Sequence, residues 1–125
     1  MLTKIIDPEH ISEFKDWLKE YKRFVIIAHT NPDGDAIGSS LALYHYLRYL
    51  RKNVCVIVPN QFPEFLKWLP GADNIMIYDY LLNVANIKIA EADVICCLDF
   101  NRLDRIDDMA ENVLNSKAKK ILIES

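Results

Sequence analysis

One imidazole and two carboxylates stand within seven residues of one another at the start of His29-Thr30-Asn31-Pro32-Asp33-Gly34-Asp35-Ala36-Ile37-Gly38-Ser39. Carboxylate oxygens with a single imidazole and no thiolate suit a hard divalent cation. Pro32 fixes one backbone angle and Gly34 admits conformations closed to other residues. Asp33 and Asp35 can therefore turn toward one point although only one residue separates them. The competing reading makes the same residues local structure. Asn-Pro and Asp-Gly are common turn dipeptides, Asp35 or Ser39 can cap a helix, and His29 can be a half-buried, hydrogen-bonded histidine. Each residue alone favours the turn; together, between a strand and a helix, they favour a metal site.

The elements that must position this loop are legible on either side of it. Arg23 to Ala28 reads as a strand without polar alternation, as expected for one buried on both faces. From Ala36 to Leu50 the spacing of Ile37, Leu41, Tyr44, Leu47 and Leu50 predicts a long helix. Ligands of open α/β sheets bind where loops leave the carboxyl ends of strands. Gly38, Ser39 and Ser40 keep the first helical turn slim, which lets a phosphate approach the free N–H groups there. Close packing of Gly38 on the sheet is the equally weighted alternative. A third carboxylate, Asp99, directly follows the apolar run Val94-Ile95-Cys96-Cys97-Leu98 and is expected at the same sheet edge as His29 and Asp33, a placement that outweighs the alternative of a turn residue capping Asn101.

Elsewhere the pattern repeats strands and amphipathic helices. Asp7-Pro8 opens a helix whose apolar face is Ile11, Phe14, Leu18 and Tyr21, with Trp17 beside it and His10 exposed near its start. Asn53 to Val58 is a second buried strand. Pro63 starts a short helix over Glu64 to Leu69, and a turn follows at Pro70-Gly71-Ala72-Asp73. Phe62, Phe65 and Trp68 form an aromatic cluster read mainly as core; a side chain of it left exposed beside the site would be a base-stacking platform. Ile75 to Tyr78 is a short strand, Tyr80 to Ala90 is assigned to helix over irregular cover, Asp107 or Asp108 starts a helix through Asn115, and Lys119 to Ile123 is a final strand. His45, mid-helix between two tyrosines, is a surface or packing residue. The fold expected is a single α/β domain over residues 1–125, a mostly parallel sheet with helices on both faces.

Composition narrows the function classes. Hydrophobic residues make up 51% and charged residues 26%, ordinary globular usage. The net charge of −3 leaves no basic footprint for holding nucleic acid through phosphates alone, so an anionic substrate needs positive charge from bound metal or local arginines. Arg102 and Arg105 are available for that role, or for pairing with Asp104, Asp107 and Asp108. Cys55, Cys96 and Cys97 lie in apolar runs without a Cys-x-x-Cys pair and read as buried reduced thiols. Cys96 and Cys97 should point to opposite sheet faces. No apolar run is long enough to span a bilayer and no signal-peptide core follows Met1, so a cytoplasmic location without membrane contact is expected. Three glycines are too few for a dinucleotide fingerprint, and no Gly-Lys-Ser/Thr phosphate loop is present.

The stretch from His29 to Ser39 resembles the first signature of the DHH phosphoesterases, in the branch of oligoribonucleases (nanoRNases), pAp phosphatases and exopolyphosphatase-related proteins. Leu98-Asp99-Phe100-Asn101 is similar to the second signature, whose aspartate bridges two metals. The resemblance implies a two-manganese phosphoesterase, with Mg²⁺ as the alternative ion. His29, Asp33, Asp35 and Asp99 are then metal ligands, the three aspartates catalytic, and Asn31, Gly38, Ser39 and Arg102 candidates for substrate contact. The implied substrate is a short single-stranded oligoribonucleotide or a nucleotide such as pAp. The family's Asp-His-His signature is expected after Lys119 to Ile123, where the chain reads Glu124-Ser125. The resemblance thus covers the first part of a family member, and the family's second, substrate-binding domain has no counterpart here. On that basis the chain alone is expected to bind metal weakly, to turn over little, and to carry apolar surface at its last strand that invites a homodimer. Two other readings stand beside this one. A noncatalytic nucleotide- or partner-binding module would keep the fold without turnover. A haloacid-dehalogenase-like phosphatase is disfavoured, because its nucleophilic Asp follows the strand directly whereas four residues intervene here.

Overall fold

The computed structural model describes residues 8–29, 34–98 and 109–123, with side-chain surroundings from Ser12 onward in the first helix. The Asp7 cap, the His10 and Ile11 side chains, and the helix start at Asp107 or Asp108 lie outside the described residues.

Helix α1 (Pro8–Glu20) leads into β1 (Arg23–Ala28), α2 (Gly34–Tyr49) and β2 (Asn53–Val58). Two short 3₁₀ turns, Glu64–Leu66 and Ala72–Asn74, precede β3 (Ile75–Ile77), α3 (Leu82–Glu91), β4 (Val94–Leu98), α4 (Met109–Asn115) and β5 (Lys119–Ile123). The five strands form one sheet in the order β3-β2-β1-β4-β5, and every pairing is parallel. The sheet is thus wholly parallel where the sequence pattern required only a mostly parallel one.

Strand alternation divides the core in two. Phe24, Ile26 and Ala28 of β1, Val54, Val56 and Val58 of β2, and Val94, Cys96 and Leu98 of β4 face α2, with Phe14, Trp17, Leu18 and Tyr21 of the α1 segment packed at the margin. Val25 and Ile27, Ile57, and Ile95 and Cys97 face Ala85 and Ile89 of α3 and Met109 and Val113 of α4. Helices therefore cover both faces, which is why β1 and β4 are buried from Phe24 and Val94 onward and read as unbroken apolar runs. Cys96 and Cys97 fall in opposite cores, as a period of two demands.

The strand order fixes where the sheet opens. From β1 the chain moves outward through β2 to β3, then returns to lay β4 on the other side of β1 and continues to β5. The helix after β1 packs on one face and the helix after β4 on the other. Connections diverge at the carboxyl ends of β1 and β4, which is the place where such sheets leave a crevice for ligands.

Candidate metal centre

β1 and β4 end in register, with Ala28 opposite Leu98, and β5 ends beside them with Ile123 opposite Leu98. His29 follows Ala28 directly and is half-buried at this edge. In the chain, α2 begins at Gly34, shortly after this edge.

Helix α2 differs from its sequence-based outline. It is already helical at Gly34, so Asp35 stands in its first turn and not in the preceding loop. Gly34 has no positive φ; among the described residues that conformation belongs to Gly71 and Arg51. The conformational freedom attributed to Gly34 is therefore not used, and Asp35 is aimed by helix geometry. Ala36, Ile37, Ser40, Leu41, Tyr44 and Leu47 form the buried stripe, while Asp35 and Gly38, three apart, share the exposed strip. A Cβ built on Gly38 meets nothing within 4 Å, which removes close packing as the reason for this glycine and leaves open surface one turn beyond Asp35. Ser39 is half-buried. Ser40 is turned inward, and its hydroxyl donates to the Ala36 carbonyl at 2.7 Å, so it does not belong to the opening.

Of the candidate site residues, His29 stands at the carboxyl end of β1, and Asp35, Gly38 and Ser39 lie in the first turns of α2. Asn31, Asp33, Asp99 and Arg102, together with Arg105 and Glu124, lie outside the described residues. Among the described residues no three His, Cys, Asp or Glu side chains are grouped closely enough to hold a metal ion, as follows when Asp33 and Asp99 are not among them. The cysteines stay apart from the donor set. Burial pushes the Cys55 thiol up to about 11, with Lys88 pulling weakly the other way, and Cys55 lines a cavity of about 220 Å³ with Arg23, Asn53 and Lys88 at the opposite end of the strands.

Sequence reasoning missed what lies beside α2. The segment after β2 is strapped along that helix: Leu66 Cδ2 comes within 4.0 Å of a Cβ built on Gly34, and His45 Nε2 lies 2.8 Å from the Pro70 carbonyl oxygen. His45 is exposed yet anchors this strap, a role its sequence position did not reveal. The expected helix over Glu64 to Leu69 contracts to the 3₁₀ turn Glu64–Leu66, and the expected turn after Pro70 contains a second. The aromatic cluster also splits. Phe62 is buried, whereas Phe65 and Trp68 are 70% and 75% exposed, contrary to the core reading of all three.

Residues 23–124 match the DHH family, N-terminal domain. The chain belongs to the DHH family. A solved exopolyphosphatase-related protein from Bacteroides fragilis superposes on this DHH chain with a TM-score of 0.94 at 54% identity, over 98% of this chain and 36% of that one. The bifunctional oligoribonuclease and PAP phosphatase NrnA of Thermus thermophilus is 49% identical over 45 residues, 36% of this chain and 13% of that protein. The uncharacterized protein MG371 of Mycoplasma genitalium is 40% identical over 42 residues, 34% of this chain and 13% of that protein. The DHH chain therefore matches a small part of these curated relatives and spans about a third of the solved one. Its relation to phosphoesterases and its α/β fold both agree with the reading of the His29–Ser39 stretch. None of the described helices is long and apolar enough to cross a membrane.

Proposed function

We propose that this DHH chain carries the metal-holding part of a phosphoesterase that hydrolyses short oligoribonucleotides or the phosphate of nucleotides such as pAp. The reading rests on His29 leaving β1 where β1 and β4 end in register, and on Asp35 standing in the first turn of the helix that follows β1 in the chain. In the sequence Asp33 directly precedes Gly34 and Asp99 directly follows Leu98. The naming of the Thermus relative as an oligoribonuclease and PAP phosphatase supports the substrate class.

The donor set fits the cation. One imidazole and three carboxylates are hard-to-borderline ligands that suit Mn²⁺ better than Mg²⁺, and with no thiolate among them they give no basis for structural zinc. A pair of such ions, when bound, lowers the pKa of a coordinated water and neutralises the phosphoryl oxygens. The chain's own residues do the positioning. Asp35 is held in direction by the helix, and His29 by its covalent link to a buried strand. Gly38 keeps the surface beyond Asp35 free of side chain, so a phosphate can reach the N-terminal amides of α2. Asn31, Ser39 and Arg102 are the nearest candidates in sequence for orienting the substrate, consistent with a net charge of −3 that offers little attraction to an anion elsewhere.

Calorimetric titration with Mn²⁺ tests the reading. The wild-type chain should bind, and Asp33→Asn, Asp35→Asn and Asp99→Asn should each weaken binding tenfold or more with unchanged circular dichroism. Equal Mn²⁺ affinity in all four proteins would remove the metal centre from this edge.

A further inference from the structure

Two large aromatic side chains are exposed on a segment that is otherwise braced and whose Leu66 comes up against the start of α2. Phe65 and Trp68 are 70% and 75% exposed, while Phe62 and Leu66 of the same segment are buried. The separation follows from the local backbone. Leu66, Lys67 and Leu69 donate to the carbonyls of Pro63, Glu64 and Leu66 at 3.0, 3.0 and 3.1 Å, a run of bonds three residues apart. Residues three apart come round to the same side of such turns, and the exposures follow that spacing: Leu66 is buried and Leu69 half-buried, whereas Phe65 and Trp68 are both exposed.

The strap is fixed at both ends. Leu66 abuts Gly34 at the start of α2, and Pro70 is tied to His45. Gly71, at φ 89°, has so little room that an added Cβ would stand 3.0 Å from the His45 ring. Lys67 pairs with Glu64 at 3.2 Å and lies over the Phe62 ring at 5.8 Å. A braced segment that turns two aromatic side chains outward and touches the first residue of α2 has the form of a stacking platform: flat apolar faces held in place before a ligand arrives.

We propose that Phe65 and Trp68 stack on the base of a nucleotide whose phosphate lies at the metal centre. This rests on the metal-centre reading above and narrows it, because an inorganic phosphate chain has no ring to stack. The pair then selects nucleotides or the terminal unit of a short single strand, with little preference among bases, since every base offers a π face.

The test measures three ligands on the 125-residue chain: Mn²⁺ and inorganic pyrophosphate by calorimetry, and a single-stranded adenine dinucleotide by calorimetry and by quenching of tryptophan fluorescence. The proteins compared are wild type, Phe65→Ala, Trp68→Ala and the conservative Phe65→Tyr and Trp68→Phe. Dinucleotide affinity should fall about 5- to 150-fold in the alanine variants, the range expected for one lost base stack, and should be retained in the conservative ones. Mn²⁺ and pyrophosphate affinity should not move. Unchanged dinucleotide affinity in both alanine variants, with Mn²⁺ still bound, overturns the platform and leaves the metal centre standing. Sedimentation that shows a dimer lost in Trp68→Ala, without any change toward dinucleotide, overturns it in favour of self-association. Failure of wild type to bind Mn²⁺ and pyrophosphate overturns the underlying reading and the platform with it.

Discussion

The carboxylate of Asp93 accepts the backbone N–H of Arg23 at 2.9 Å, joining the residue before β4 to the first residue of β1. The same oxygen accepts from Lys22 N–H at 3.1 Å, Asp93 N–H donates to the Arg23 carbonyl at 2.8 Å, and Lys119 N–H donates to the Asp93 carbonyl at 2.9 Å. One residue thus staples the starts of β1, β4 and β5. The register it sets at this end is the register that places Ala28 opposite Leu98 at the other, where the candidate ligands emerge.

Asp93→Ala removes the acceptor of two solvent-exposed strand-entry N–H groups, which water can partly replace, and should cost about 0.5–1.5 kcal/mol of folding free energy. Asp93→Asn keeps a carbonyl acceptor and should cost less. Urea denaturation of the three proteins checks the order; an alanine variant as stable as wild type would show that water replaces the staple without loss.

Arg51 holds the left-handed conformation at φ 64° after α2. Its N–H donates to the Arg48 carbonyl and that of Lys52 to the Leu47 carbonyl, both at 2.9 Å, the paired bonds of a Schellman ending. Glycine takes that conformation without a Cβ penalty, so Arg51→Gly should stabilise the fold by roughly 0.5–1 kcal/mol, and Arg51→Val should destabilise it. Thermal unfolding midpoints of the two variants should move in opposite directions.

Cys55 adds a pH dependence at the alkaline side. In the folded chain burial raises its pKa from 9.0 to about 11. Between those values the unfolded chain has lost the proton and the folded chain has not, so raising the pH favours unfolding. The stability present below pH 9 should therefore decline through the window from 9 to 11, by roughly 1 kcal/mol per pH unit at most from this thiol. Urea midpoints at pH 7.5, 9 and 10.5 should fall more steeply for wild type than for Cys55→Ala; parallel slopes would assign the decline to other groups.

The sequence by itself determined most of the strands. Arg23–Ala28, Asn53–Val58, Val94–Leu98 and Lys119–Ile123 are found where the apolar runs placed them, since the inner strands are covered on both faces and cannot alternate. The family too was legible, in the His29–Ser39 stretch. Tertiary structure decided the strand order, and with it the opening between β1 and β4, because pairing partners are chosen by hydrogen bonds and burial between segments far apart in sequence. It also decided the details that local patterns leave degenerate. Gly38 faces open space and not the sheet. Asp93, an unremarkable residue before a strand, carries three strand entries. Phe65 and Trp68 have the same composition signal as a core cluster, yet the contacts of Leu66 with Gly34 and of Pro70 with His45 turn them outward, since only the neighbour on which a short proline-bounded segment docks determines which of its sides is buried.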